Sequence, residues 1–222
     1  GSNSISPTKM EYGMYMAKSA SLRTVDLSRQ VGAAIFSENN EIIAFGTNEV
    51  PKAGGGTYWE DDLHDDRDYK RGQDSNDKRK KEILRELMTA FDENVDLNEL
   101  NKNQLVKKSQ FMDALEYGRI IHAEMSAITD SARTGRTLKN STLYCTTFPC
   151  HMCAKHIVAS GISNVIFLEP YPKSLASELH GDSIEIEGQP RGIYSAYPKS
   201  LFQHFYGVSP KRYRDLFEKN KN

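Results

Sequence analysis

Three side chains in this sequence have the types and spacing to hold a metal ion. Cys150 and Cys153 stand at i and i+3 in Pro149-Cys150-His151-Met152-Cys153. A helix opened by Pro149 would place both thiols on one face of its first turn, because the missing N–H of proline has no partner there. The positive end of the helix dipole then favours thiolate over thiol. Two thiolates are half of a zinc site. His122, in Ile121-His122-Ala123-Glu124, supplies a third donor. One imidazole and two thiolates bring Zn2+ close to zero formal charge and leave its fourth position to water, the pattern of a catalytic site. Water held in that way yields hydroxide near neutral pH. Glu124 lies two residues past His122, and in mid-helix the two side chains would diverge by roughly 200°. We therefore expect His122 at a helix N-terminus, the metal just beyond it, and Glu124 beside the metal as a proton shuttle and not a ligand.

Blander readings stand beside this one. A closed structural zinc would take Cys145, His151 or His156 as its fourth ligand, but such a site has no use for Glu124. Cys145 reads as a small buried hydrophobe, His151 as a helix-surface residue and His156 as a packing residue. Asp61, Asp62, Asp65, Asp66 and Asp68 read as a solvated acidic loop; holding a magnesium-bound triphosphate is the alternative use. Lys211, Arg212 and Arg214 read as a solvated helix face.

The elements that must position these residues follow from pattern. Ser6-Pro7 opens an expected first helix, with Met10, Met14 and Ala17 facing the core. Residues 31–36 and 41–46 are two strands of a hairpin around the turn 37–40. A long connection follows, in which 77–92 and 97–117 read as helices, the first with Ile83, Leu84, Leu87 and Phe91 on one face. Connections of that length are usually functional or disordered. Residues 120–133 form the helix carrying His122, with Ala123, Ala127 and Ile128 on a narrow buried face. Strand 143–148, helix 149–160 stopped by Gly161, and strand 164–168 then imply a parallel pair in an α/β sheet with helices on both faces. A short helix at 174–179, a fifth strand at 201–206 and a helix capped by Ser209-Pro210 complete the outline. No internal repeat occurs, and residues 135–141 lack the Gly-Lys-Ser/Thr ending of a P-loop.

Composition narrows the function classes. The 222 residues carry 29 Lys+Arg against 30 Asp+Glu, so no basic field exists for a nucleic-acid backbone. No apolar run is long enough to span a bilayer, and no signal-peptide core follows the N-terminus. Three cysteines within nine residues argue for a reducing compartment and against a disulfide framework; a cytoplasmic location is expected. Gly1-Ser2 has the look of an expression scar, and residues 1–5 are expected to be disordered.

The arrangement His-x-Glu…Pro-Cys-x-x-Cys is the signature of zinc nucleobase deaminases, in which hydroxide attacks a ring carbon and ammonia leaves. His122-Ala123-Glu124 together with residues 146–155, Thr-Thr-Phe-Pro-Cys-His-Met-Cys-Ala-Lys, resembles the deoxycytidylate deaminases more closely. Gly32 and Asn48 match that family's first strand and sugar-binding loop. Residues 48–59, 169–180 and 207–217 are similar to the deaminase domain of bacterial anti-phage dCTP deaminases, a likeness running from Lys9 to Phe217. The resemblance implies a three-layer α/β/α fold of the cytidine-deaminase type, with a mixed five-stranded sheet and a long helical insertion at 50–118, in a single domain over 1–222. It implies zinc on His122, Cys150 and Cys153, with Glu124 as acid/base. It further implies Asn48 on the sugar 3′-hydroxyl and the Ala123 N–H on the cytosine carbonyl. Lys52, Tyr171 and Lys173 are the expected phosphate and base contacts. The implied activity is hydrolysis of dCTP or dCMP to the deoxyuridine form, with dCTP depletion during phage infection, in a homo-oligomer; a triphosphate would bring Mg2+ with it. Members of that branch carry an N-terminal P-loop domain, which this sequence does not contain. The alternatives are a tRNA adenosine deaminase, which would want a basic face for RNA, and a zinc-stabilised interaction module.

Overall fold

Each layer of the fold follows from which face of a strand its alternate residues occupy. The computed structural model describes residues 4–92 and 102–219. Helix α1 (Lys9–Ser21) starts at Thr8, not at Ser6. Thr8 Oγ1 accepts from the Glu11 N–H at 3.2 Å, and Glu11 Oε2 accepts from the Thr8 N–H at 2.7 Å. This reciprocal pair satisfies two otherwise orphaned donors, which the Ser6 position has no Glu to do. Met14 and Ala17 are fully buried, as the spacing predicts.

Strands β1 (Gly32–Phe36) and β2 (Ile42–Thr47) form the antiparallel hairpin. The chain then enters the insertion, with α2 (Asp68–Arg71), α3 (Ser75–Phe91) and α4 (Gln104–Lys107). The helix expected over 97–117 does not form as one element. Its residues 97–101 lie outside the described ones, and α4 gives way to a 3-10 turn at Gln110–Asp113. Side chains in that stretch compete for the backbone: Asn103 Oδ1 accepts from the Leu105 N–H, and Ser109 Oγ donates to the Val106 carbonyl. On α3, Ile83 and Leu84 are half-buried, but Leu87 and Phe91 are exposed. Asn76 closes the insertion, donating to the Ala114 carbonyl at 2.8 Å and accepting from the Tyr117 N–H at 3.1 Å.

Helix α5 (Ala123–Arg133), β3 (Thr142–Thr147), α6 (His151–Ala159) and β4 (Asn164–Glu169) follow, then α7 (Ala176–His180), β5 (Ile184–Ile186), β6 (Ser200–His204) and α8 (Tyr213–Phe217). One mixed sheet results, in the order β2-β1-β3-β4-β6-β5. Among the described residues it has six strands where five were expected. The additional strand, β5, is three residues long and pairs in parallel with β6 alone, so its sequence carries too little alternation to be read. β1 runs antiparallel to β2 and β3, while β3, β4, β6 and β5 are mutually parallel.

The period of two sorts the core. Ala34, Phe36, Tyr144 and Ile166 face α1, where Met14 and Ala17 complete one cluster. Ala33, Ile35, Leu143, Val165 and Phe167 face the other way, onto Ala123, Ala127, Ala154 and Ile157 of α5 and α6. The expected α/β/α layering is therefore present. Each fully buried Ile, Leu or Phe contributes about 1.5–3 kcal/mol by leaving water. Two glycines set how closely the helices approach. A Cβ on Gly32 would overlap the backbone of α1 at Ala17 and Ser21, and one on Gly46 would overlap α5 at Ala123 and Ala127. Gly46 thus seats α5 directly on β2.

Candidate metal centre and cleft

Two helices begin at the same point in space, and each begins on a candidate ligand. His122 is the N-cap of α5 and Cys150 the N-cap of α6, both extended (φ −68°, ψ 155° and φ −70°, ψ 166°), and neither side chain caps its own helix. Both side chains instead turn to a common centre. Pro149 precedes the cap instead of opening the helix, so Cys150 sits half a turn earlier than expected and Cys153 falls at the third helical position. His122 holds the N-terminal place that its spacing from Glu124 demanded.

His122 Nδ1 lies 3.4 Å from Cys150 Sγ and 3.4 Å from Cys153 Sγ. A tetrahedral zinc with Zn–N of about 2.0 Å and Zn–S of about 2.3 Å holds such donors about 3.5 Å apart. The donor set and its spacing therefore fit zinc. Among the described residues, no fourth His, Cys, Asp or Glu joins these three as a candidate metal ligand. Cys145, offered above as a closing ligand, is wholly buried in β3 outside that group, with its thiol pushed up by burial. His151 is half-buried and His156 exposed, so His156 is not the packing residue its sequence suggested.

Electrostatics at the centre follow from the mutual hydrogen bonds of the three candidate ligands and from their burial. The Cys150 thiol is pulled down to about 4, first by the hydrogen bond from the Cys153 thiol and then by His122. The His122 imidazole is pushed up to about 9, chiefly by its bond to Cys150 and against its burial. Cys153 keeps its proton, shared toward Cys150. Metal binding would release these protons. Glu124, 4% exposed, is pushed up by burial and held back in part by His122. It sits at the second position of α5, against the Cys153 thiol.

A cleft of about 150 Å³ opens over the centre. His122, Ala123, Glu124 and Cys150 form its floor, and Asn48 and Tyr171 its sides. Asn48 is bound on every side: Oδ1 accepts from the Val31 N–H at 2.7 Å, and Nδ2 donates to Asp26 Oδ2 and to the Arg29 carbonyl. Lys52 and Lys173 are not brought to the cleft. Each is drawn off by a carboxylate, Lys52 by Asp62 and Lys173 by Asp113, both at 2.5 Å.

Sequence reasoning missed the outer wall. It comes from the insertion, through Asp68, Asp74 and Asn76, from Arg119 just after it, and from Arg29 ahead of β1. The acidic loop is not merely solvated. Asp65 and Glu49 hold the buried Arg67, Asp66 pairs with Arg71, and Asp68 accepts from Arg119 at 2.8 Å. The readable signal was the alternation of Asp with Arg at 65–71. Lys211, Arg212 and Arg214 remain an exposed face, as expected, with Arg212 and Arg214 in local pairs with Asp215 and Glu218.

Comparison with known proteins agrees with this donor arrangement. Residues 7–169 match the family model described as the cytidine and deoxycytidylate deaminase zinc-binding region. The deoxycytidylate deaminase of Enterobacteria phage T2 is 44% identical over 54 residues, 24% of this chain and 29% of that protein. The chain thus spans under a third of the length of that relative. The probable deoxycytidylate deaminase of Drosophila melanogaster is 29% identical over 183 residues, 80% of this chain and 69% of that one. Among solved structures, the dCMP deaminase of cyanophage S-TIM5 in complex with dCMP and dUMP aligns with a TM-score of 0.48 at 17% identity, covering 90% of this chain and 98% of that chain. The family match contains His122, Glu124, Cys150 and Cys153 together, and by it this chain belongs to the cytidine and deoxycytidylate deaminase zinc-binding family.

Proposed function

We propose that this protein hydrolytically deaminates the cytosine of deoxycytidine nucleotides, dCMP or dCTP, to the deoxyuridine form and ammonia. The observation that carries the reading is the convergence of one imidazole and two thiols beneath a cleft that His122 and Cys150 line, with a buried carboxylate beside them and no fourth side-chain ligand among the described residues. A closed structural centre would need neither the cleft nor the carboxylate.

His122, Cys150 and Cys153 would hold the zinc, which supplies acidified water at the cleft floor. Burial raises the proton affinity of Glu124, so its carboxyl can take a proton and hold it in the cleft. Of the two protons of the water consumed, Glu124 carries the first to the ring nitrogen and the second to the departing amine, which leaves as ammonia. Ala123 stands at the first helical position, where a backbone N–H has no acceptor within its own helix; that donor orients the cytosine carbonyl. Asn48 and its partner Asp26 edge the cleft where the sugar would lie, and Tyr171 also lines it. Dryness matters here, because a proton carried by a buried carboxyl is not lost to bulk solvent.

The resemblance of residues 48–59, 169–180 and 207–217 to the anti-phage branch supports dCTP depletion during infection as the biological use. The same resemblance supports a homo-oligomer and, with a triphosphate substrate, Mg2+, while the three free cysteines support a cytoplasmic location. The deciding assay measures ammonia from the zinc-loaded protein with dCTP, dCMP, CTP and deoxycytidine. Activity on the deoxynucleotides is expected, lost by about 10²-fold or more in Glu124→Ala while zinc content stays the same. Full turnover in that variant would remove Glu124 from the chemistry.

A further inference from the structure

Among the described residues, the charges around the cleft leave one arginine without a carboxylate. Arg119 is neutralised on the wall by Asp68 at 2.8 Å and lies 3.6 Å from Asp66. Lys52 and Lys173 are paired elsewhere and do not line the cleft. Arg29 does line it, and among the described residues no ion pair joins it to a carboxylate. The nearest candidate by sequence, Asp26, is turned inward. Its Oδ1 accepts from the Ser28 N–H at 2.8 Å and from the Ser28 hydroxyl, and its Oδ2 accepts from the Asn48 amide.

The loop holding Arg29 is fixed while its side chain stays in solvent. The Arg29 carbonyl accepts from Asn48 Nδ2 at 2.8 Å, and Gln30 Nε2 donates to the Thr24 carbonyl at 2.9 Å. The guanidinium lies over the ring of Tyr171, 4.9 Å from its centroid. Stacking on an aromatic face sets the plane of a guanidinium and leaves its N–H edge to an anion. A planar fork of that kind matches two oxygens of one phosphoryl group.

Resting on the function proposed above, we infer that Arg29 recognises the phosphate attached to the sugar of the nucleotide, with Tyr171 holding the guanidinium in plane. That phosphate is common to dCMP and dCTP. Arg29 therefore separates nucleotides from nucleosides and does not choose between mono- and triphosphate.

The test compares the zinc-loaded protein with Arg29→Ala, Arg29→Lys and Tyr171→Leu on deoxycytidine, dCMP and dCTP. In Arg29→Ala the ratio of kcat/KM for dCMP to that for deoxycytidine falls by at least about tenfold, mostly through KM. Arg29→Lys restores part of the ratio, since an ammonium keeps the charge and loses the fork. Tyr171→Leu lowers the ratio by a smaller factor. An unchanged ratio overturns the assignment, and so do equal losses on nucleoside and nucleotide, which would report a disturbed loop. If the unaltered protein turned over none of the three, the deaminase reading would fail by itself. Calorimetric titration of dCMP would then decide the phosphate assignment: weaker binding to Arg29→Ala supports it, and equal affinity, or none to either protein, sinks it.

Discussion

At the floor of the cleft, two helix N-caps and one first-turn thiol meet through local backbone geometry. At its outer wall, the insertion is held by side chains far apart in the chain, with Asp68 and Arg119 paired across 51 residues and Asn76 bonded to partners 38 and 41 residues away. The floor needs only that α5 and α6 start where they do, which Gly46 and the buried alanines secure. The wall needs several ion pairs to form together. A centre built on helix ends keeps its shape through the chemistry, whereas a wall built on charge pairs can be retuned for a different substrate without moving the metal.

The two regions are separated first by removing a ligand at the floor. Cys150→Ser takes away a donor whose thiolate the Cys153 thiol and His122 favour. Loss of stoichiometric zinc by elemental analysis and loss of all turnover are expected, with the far-ultraviolet spectrum kept because α6 still has an N-cap of the preferred type. Retention of full zinc would mean that the centre does not depend on Cys150.

The wall is broken most strongly at Arg67. Its side chain is 3% exposed and is shared by Glu49 and Asp65, themselves 2% and 9% exposed. Removing one partner of a buried pair leaves the other charge stranded, at a cost of about 3–5 kcal/mol. Arg67→Met should lower the urea midpoint accordingly, and Glu49→Gln in the same background should recover part of the loss. Glu49 also ties the wall to the floor, because its carbonyl accepts from the Ile121 N–H at 3.1 Å, one residue before His122. A fall in zinc affinity smaller than the fall in stability would confirm that the floor sets itself; a larger one would show that it leans on the wall.

What the sequence disclosed divides along the same line. The pairs His122–Glu124 and Cys150–Cys153, the hairpin and the β3–α6–β4 unit are local patterns that spacing and periodicity read. The joining of His122 to Cys150 across 28 residues came instead from the need of two thiolates for a third donor. His122 at an N-terminus followed from a two-residue spacing and elementary helix geometry. The wall escaped because its logic is long-range. Nothing near Asp68 announces Arg119, and nothing near Lys52 or Lys173 shows that Asp62 and Asp113 will occupy them. Asp65, Asp66 and Asp68 look solvated until their arginines are counted. β5 escaped for a similar reason, since Ile184–Ile186 becomes a strand only when β6 arrives beside it.

The smallest effect isolates one charge of the wall by pH. Hydrogen bonds from Arg67 hold the Asp65 carboxyl at about 2, against an ordinary 3.8. A carboxylate with a lowered value in the folded protein adds stability above the unfolded value and loses it as pH falls through the folded one. Asp65 thus contributes fully above about pH 4 and progressively less toward pH 2, by on the order of 1 kcal/mol once solvent screening is allowed for. Asp65→Asn has no charge to lose. The stability advantage of the unaltered protein over this variant, both in the same metal state, should shrink between pH 5 and pH 2 by that amount. An advantage that stayed constant across the window would mean that the contact with Arg67 is worth the same with a neutral partner, and that packing, more than charge, holds this part of the wall.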